Sequence, residues 1–147
     1  MNINVLCAGK LKEKYLKDAA AEYEKRLSRY CRLKIVEVDD GPDMAAEAAR
    51  MMKRLDRSSY IITLEIGGRQ LSSQEFADSL GNLGIGGVSD ITFIIGGPEG
   101  LDESIIKLAK EHLSFSKMTF THQMMRVILL EQIYRGYRII NGEPYHK

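Results

Sequence analysis

Apolar positions along the chain follow two spacings that alternate from one end to the other. Short apolar runs such as NINVLC, LKIVEV and SYIITLEI have the length and composition of buried strands. Between these runs, apolar residues recur at helical spacing, as at Leu11, Tyr15 and Ala19, which predicts helices with one buried stripe. Strands are predicted at residues 2–7, 33–38, 59–66, 90–95 and 112–116. Helices are predicted at residues 11–30, 44–55, 72–83, 102–110 and 122–139.

Strands that alternate with helices indicate an α/β domain with a mainly parallel sheet and flanking helices. The length of 147 residues fits one domain, which we expect to span residues 1–147. In parallel sheets, ligands bind beyond the carboxyl ends of the strands. Three predicted strand ends stand out, after Ile66, Ile95 and Ser116. The first two open directly into paired glycines, and the first pair is predicted to end its strand.

The stretch FIIGGPEGL, residues 93–101, ends a buried strand in a loop with almost no side chains. Glycines permit positive φ and let a ligand approach the main chain closely. The spacing G-G-P-E-G matches neither the dinucleotide fingerprint nor a P-loop, so a phosphate cradle is not expected. The residues alone leave two interpretations open, a tight turn into a helix and a ligand that lies against bare backbone.

The last predicted helix, HQMMRVILLEQIYRGYRII, carries apolar residues that point in nearly every direction. A surface helix would leave one face polar, so this helix is expected to be buried on more than one side. We expect the second cover to be another subunit, in a homodimer built on this helix. Glu131 and Arg135 have the spacing of a surface ion pair, with the acid first.

His122 and Arg126 share a face of the same helix, and that face contains no acid. A cation among apolar neighbours usually meets an anion from elsewhere. The alternative is a partner carboxylate such as Glu99.

Composition and charge exclude several classes of protein. No apolar run approaches the roughly 18 residues of a membrane span, and the first residues are typical of a strand rather than a secretory signal, so we expect a soluble cytoplasmic protein. Cys7 and Cys31 are too few and too far apart for a zinc site or a redox pair, so no metal is expected. The net charge is only +1, but residues 113–147 carry five Lys or Arg against two acids, which is +3 and indicates an anionic partner.

No arrangement of residues is typical of nucleophilic catalysis. Ser, His and Asp occur without a nucleophile elbow, and the three histidines lack metal-ligand spacing. A small hydrolase is therefore a weak alternative. A non-catalytic RNA-binding or ribosome-binding factor would explain the basic end but not the glycine loops.

Three stretches, INVLCAGKLKEKYL, FIIGGPEG and LSFSKMTFTHQMMRVILLEQIYRGYRIINGEPYHK, together resemble the RlmH family of bacterial ribosomal RNA methyltransferases. The resemblance covers the whole chain and is most specific in its last third. It implies the SPOUT fold, an α/β domain with a deep trefoil knot near the carboxyl terminus, and a homodimer. It also implies methyl transfer from S-adenosylmethionine to N3 of a pseudouridine in 23S ribosomal RNA, on the stem-loop of the ribosome that faces the small subunit.

The resemblance places the cofactor loops at the three strand ends already described. The implied cofactor-binding residues are Leu64, Gly96, Gly97, Phe115, Ser116, Lys117, Met118, Thr119 and Phe120. The glycines would let the cofactor lie against main chain, and the apolar side chains would flank its adenine ring. The family commonly has proline before the histidine of the last helix, where this chain has Thr121, a residue able to cap that helix.

The resemblance also implies a set of residues for catalysis and RNA binding. His122 and His146 are both candidates to accept the N3 proton, and relays through tyrosine or water stay open. Arg126 and Tyr145 complete the catalytic set. Arg135, Arg138 and Lys147 are expected to contact the RNA backbone, with Lys147 standing where the family often has arginine. The tail NGEPYHK is expected at an active-site mouth, either of its own or of the partner subunit.

Overall fold

The computed structural model describes residues 1–145 and has a strand or a helix at each predicted place, although the first and fourth helices are shorter than predicted and the third strand is longer. The strands are β1 Asn2–Ala8, β2 Arg32–Val38, β3 Tyr60–Gln70, β4 Asp90–Ile95 and β5 Glu111–Ser114. The helices are α1 Lys14–Leu27, α2 Met44–Arg54, α3 Ser73–Ile85, α4 Glu103–Ile106 and α5 His122–Ile140.

All five strands form one parallel sheet in the order β2-β1-β4-β3-β5. Parallel neighbours need crossover connections, and the helices between the strands supply them. The predicted α/β class with a parallel sheet is therefore confirmed. The trefoil knot implied by the resemblance stays a prediction.

Side chains of β1, an interior strand between β2 and β4, alternate between two cores, one on each face of the sheet. Ile3, Val5 and Cys7 join a core that includes residues of α1, α3 and α5. Leu6 and Ala8 point to the opposite face, where residues of α2 and α4 complete a second core. Helices therefore cover both faces of the sheet, and its strand ends remain as the place for a site.

Cys7 and Cys31 are free thiols, and both are buried. Burial raises the pKa of the Cys7 thiol to about 12 and that of the Cys31 thiol to about 11. Both side chains therefore remain protonated at neutral pH and behave as small apolar residues.

Helix α5 packs on the sheet between α1 and α3. Its residues Leu129, Leu130 and Ile133 are buried, and a Cβ on Gly136 would lie 3.1 Å from Leu80 of α3. The prediction that α5 is buried on more than one side is confirmed. However, the sheet, α1 and α3 that cover α5 all belong to the same chain, so burial of α5 alone does not require a second subunit.

Strand β3 differs from its prediction, because it runs through Gly67 and Gly68 instead of ending at Ile66. In the ladder with β5, Leu113 pairs with both Leu64 and Arg69, so β3 bulges between those two residues. A Cβ on Gly68 would lie 2.7 Å from the main-chain carbon of Leu113. This glycine is therefore required by close contact with the neighbouring strand, not by a chain break.

We expect Gly68→Ala to destabilise the protein by about 1–3 kcal/mol, because the added methyl group overlaps main-chain atoms that cannot move independently. Gly67→Ala is the matched control, since its Cβ would meet nothing within 4 Å. Urea unfolding of both variants measures the difference. Equal unfolding midpoints would contradict this account of the bulge.

Candidate functional site

A cleft of about 930 Å³ opens beside the ends of β4 and β5 and the bulge of β3. This volume is in the range of sites that bind small molecules. Eight of the nine predicted cofactor-binding residues line it, together with His122: Leu64, Gly96, Gly97, Phe115, Ser116, Met118, Thr119 and Phe120. Lys117 is not among the lining residues. The strand ends chosen from the sequence thus converge on one cleft.

The glycines after β4 form a tight turn that is also part of the cleft wall. The Gly100 N–H donates to the Gly97 carbonyl at 3.0 Å, and Gly100 has a φ of 90°. A Cβ on Gly96 would lie 2.5 Å from the Gly100 carbonyl oxygen. The stretch FIIGGPEGL therefore forms a tight turn and also exposes main chain without side chains in the cleft wall, so the two interpretations are compatible. A larger residue at Gly96 would distort the turn whether or not a ligand is bound.

The loop between β5 and α5 forms another wall of the cleft. The Met118 N–H donates to the Ser116 hydroxyl at 2.9 Å, and the Ser114 hydroxyl donates to the Ser116 carbonyl at 3.0 Å. Met118 is 76% exposed, and Phe120 is also exposed. Exposed apolar side chains beside a cleft are typical of a surface that binds a ligand or a partner chain. Thr121 caps α5 as predicted, since its hydroxyl accepts from the Met124 N–H.

Arg126 does not line the cleft but lies beneath it, only 2% exposed. Its guanidinium donates to the Glu37 carboxylate and, at 2.9 Å, to the Gly9 carbonyl. The alternative of a partner carboxylate is therefore confirmed, but the carboxylate is that of Glu37 in β2, and the example Glu99 is wrong. A catalytic Arg126 in contact with a substrate does not fit this burial. The ion pair joins residues 89 positions apart, a distance at which helix periodicity gives no signal.

His122 is half-buried in the cleft wall, close to the loop after β1. A Cβ on Gly9 would lie 3.4 Å from His122 Nε2 and 3.2 Å from Asp40 Oδ2, so these two side chains flank Gly9. Burial lowers the pKa of His122 below its usual value, Asp40 opposes that shift, and Arg126 adds to it. The imidazole is therefore neutral at neutral pH and able to accept a proton.

Tyr145 lies away from the cleft of its own chain. Its ring packs edge-on against Tyr134 with centroids 4.8 Å apart, and its hydroxyl donates to Glu131 at 3.3 Å. Glu131 follows His122 by nine residues, or about 14 Å along the helix. The structure therefore does not bring Tyr145 to His122. The predicted His146 and Lys147 lie outside the described residues.

The segment before Tyr145 is held on the surface of α1 and α5. Glu143 accepts a hydrogen bond from Tyr30 at 2.8 Å and forms an ion pair with Arg138 at 2.7 Å. Arg138 also donates to the Pro144 carbonyl at 2.7 Å. The tail up to Tyr145 is therefore docked, not frayed.

The predicted RNA-binding arginines both have acidic partners. Arg135 pairs with Glu131, which confirms the predicted ion pair but places it in a partly buried position. Arg138 pairs with Glu143. Contact of either guanidinium with a phosphate would compete with these carboxylates, and their RNA-binding role stays a prediction.

Sequence reasoning missed several residues of the cleft wall, among them Lys12 and Tyr15. Tyr15 was predicted in the buried stripe of the first helix, but it is 63% exposed. Its exposure follows from α1 beginning at Lys14, because residue 15 then lies in the first turn beside the cleft. The exposure of Tyr15 could have been inferred from the run KLKEKYL, in which this aromatic residue lies among lysines.

Among residues 1–145, no three His, Cys, Asp or Glu side chains come together as metal ligands. No helix in that part of the chain is long and apolar enough to cross a membrane.

Comparisons with known proteins agree with this geometry. The family model described as "Predicted SPOUT methyltransferase" matches residues 1–146. Proteins named ribosomal RNA large subunit methyltransferase H, from Clostridium kluyveri and Clostridium novyi, are 52% and 51% identical over 159 residues, with 100% of this chain and 100% of each relative covered. The crystal structure of tRNA (m1G37) methyltransferase from Aquifex aeolicus matches with a TM-score of 0.58 at 13% identity, covering 92% of this chain and 70% of that chain. That last likeness shows the fold alone.

Proposed function

Because the chain belongs to the SPOUT methyltransferase family, we propose that it methylates N3 of a pseudouridine in 23S ribosomal RNA, with S-adenosylmethionine as the methyl donor. The observation that carries this function is the cleft, in which a bare glycine turn and exposed apolar side chains meet a neutral histidine. The names of the full-length relatives supply the ribosomal RNA substrate.

The residues of the cleft fit this cofactor. Gly96 and Gly97 offer main chain without side chains, and Leu64, Met118 and Phe120 offer apolar surface for an adenine ring. S-adenosylmethionine supplies a methyl group on a sulfonium, which needs no further activation. The chain's own residues then have to align the nucleophile and remove its proton.

His122 takes the N3 proton in this proposal. The side chain is in the cleft wall, and its lowered pKa leaves it neutral when the RNA arrives. Arg126 has a positioning role, since it bonds to the carbonyl of Gly9, the residue that His122 flanks.

The proposal includes a homodimer in which each tail reaches the partner's cleft. Tyr145 is held beside Glu131, about 14 Å along α5 from His122, so it does not complete the site of its own subunit. Met124 and Ile128 of α5 are half-buried apolar side chains, and the apolar surface they leave exposed favours contact between two copies. The substrate is the assembled ribosome in the cytoplasm, a large preformed target that suits a net charge of only +1.

We expect Met118→Glu to weaken S-adenosylmethionine binding by at least tenfold, because burying a methionine side chain is worth roughly 1.5–3 kcal/mol. Ile85→Glu is the matched control, since Ile85 is 89% exposed and does not line the cleft. Calorimetric titration measures both affinities, and transfer of labelled methyl to ribosomes measures activity. Equal affinities in the two variants would place the cofactor elsewhere. A wild-type protein that binds ribosomes but no cofactor would favour the non-catalytic RNA-binding alternative.

A further inference from the structure

One wall of the cleft has no role in cofactor binding or proton transfer as described above. It consists of residues around the start of α1, among them Lys12 and Tyr15. Tyr15 is 63% exposed, and within residues 1–145 its side chain has no hydrogen bond or ring contact. Lys12 is exposed beside it. An aromatic ring and an ammonium group therefore stand in water at the cleft mouth.

The main chain that carries these side chains is fixed by buried groups. Arg126 donates to the Gly9 carbonyl at 2.9 Å and is neutralised by Glu37. The Lys12 N–H donates to Gln123 Oε1 at 3.0 Å, which ties the segment to the first turn of α5. Burying an ion pair rarely gives more stability than apolar residues of similar size would. Its benefit here is a fixed position for the wall relative to His122.

The chemistry of this wall fits an unpaired nucleotide. Single-stranded bases are recognised by stacking on aromatic side chains, and phosphates by lysine or arginine. The positive charge of Lys12 contributes to lowering the pKa of His122, although burial is the larger cause. The Lys12 N–H bonds to Gln123, the residue after His122, and Lys12 and His122 both line the cleft. Lys12 can therefore reach the nucleotide that the imidazole serves. Lys14, in contrast, is already paired with Asp18 at 2.7 Å.

We propose that Tyr15 and Lys12 hold the target nucleotide at the cleft mouth, with the Tyr15 ring stacked on an unpaired base and the Lys12 ammonium on an adjacent phosphate. This inference rests on the proposed ribosomal RNA function, and it adds the residues that receive the RNA. Neither residue takes part in the chemical step.

We expect Tyr15→Ala to lower kcat/KM for ribosomes by about tenfold, which is within the range found for base stacking on aromatic residues. Tyr15→Phe keeps the ring and should retain nearly full activity. Lys12→Gln should lower kcat/KM. It should also make RNA affinity less dependent on salt, by the amount expected when about one phosphate contact is lost. Lys17→Gln is the matched control, because Lys17 is exposed on the same helix but does not line the cleft. Affinity for S-adenosylmethionine should be unchanged in all four.

Direct binding to ribosomes separates this inference from the proposed function. A wild-type protein that binds ribosomes without methylating them would contradict the proposed methyltransferase function. In that case, weaker binding of Tyr15→Ala to ribosomes would still support the RNA-binding role of this wall. Three results for Tyr15→Ala would contradict the proposed RNA-binding role of this wall. These are an unchanged affinity for RNA, a loss of cofactor affinity equal to the loss of RNA affinity, and conversion of the variant to a monomer. The last of these would identify Tyr15 as a contact between subunits.

Discussion

A protein that lacks Tyr145, His146 and Lys147 is expected to fold, dimerise and bind S-adenosylmethionine, yet to methylate ribosomes at least roughly 100-fold more slowly. The remaining tail keeps its main anchor, because Glu143 still bonds to Tyr30 and Arg138. The deletion removes an aromatic ring, an imidazole and a cation, which suit a base, its proton and its phosphate. Methyl transfer to ribosomes under single-turnover conditions measures the loss.

Mixing two inactive variants tests whether the tail serves the partner's cleft. A dimer that pairs one truncated subunit with one His122→Asn subunit has one cleft with an intact histidine and an intact tail from the other chain. Such mixtures should recover up to about a quarter of the wild-type activity if subunits exchange freely and each site works independently. No recovery in a mixture shown to contain mixed dimers would indicate that each tail serves its own subunit. A truncated enzyme with normal activity would show that the tail is dispensable.

Replacing His122 with asparagine is expected to lower kcat by roughly 100-fold or more, the usual contribution of a general base. Asparagine keeps a polar side chain of similar reach, so the start of α5 should be preserved. Cofactor affinity and thermal unfolding serve as controls for the fold. A variant with near-normal kcat would assign the proton to another group.

The pH dependence of methyl transfer follows from the direction in which the pKa of His122 is shifted. Burial lowers the pKa of His122, and the neutral form is the one that accepts a proton, so wild-type activity should rise with pH through a value below 6.5 and then stay level. Asp40 opposes the shift, so Asp40→Asn should move this rise to lower pH. The rise should disappear in His122→Asn. A rise that persists in that variant would reflect a different titrating group.

Regular elements were predictable from the sequence because their spacing is local. The helix that begins at His122 and the strand that ends at Ile95 start and end where caps and glycines indicate. The cleft was predictable because the ends of parallel strands meet at one edge of a sheet. Gly68 was misread, since a glycine that ends a strand and one that lets a neighbouring strand approach look the same in sequence.

Contacts between distant residues could not be predicted in this way. Glu37 and Arg126 meet only because β2 and α5 lie close to the same end of β1. Tyr15 fits a helical stripe, and only the actual start of α1 shows that its ring faces the cleft. The partner of a buried charge and the direction of a first-turn side chain are properties of tertiary structure.

The position of β1 also determines when this protein can fold during its synthesis. The side chain of Asn2 in β1 bonds to Asp90, 88 residues later, and the Gly9 carbonyl accepts from Arg126, 117 residues later. Chains dominated by such distant contacts fold slowly, because long loops must close before any contact stabilises them. While α5 is still inside the exit tunnel, the nascent chain has neither a closed core around β1 nor a complete cleft. The cleft can therefore be completed only after α5 has left the tunnel.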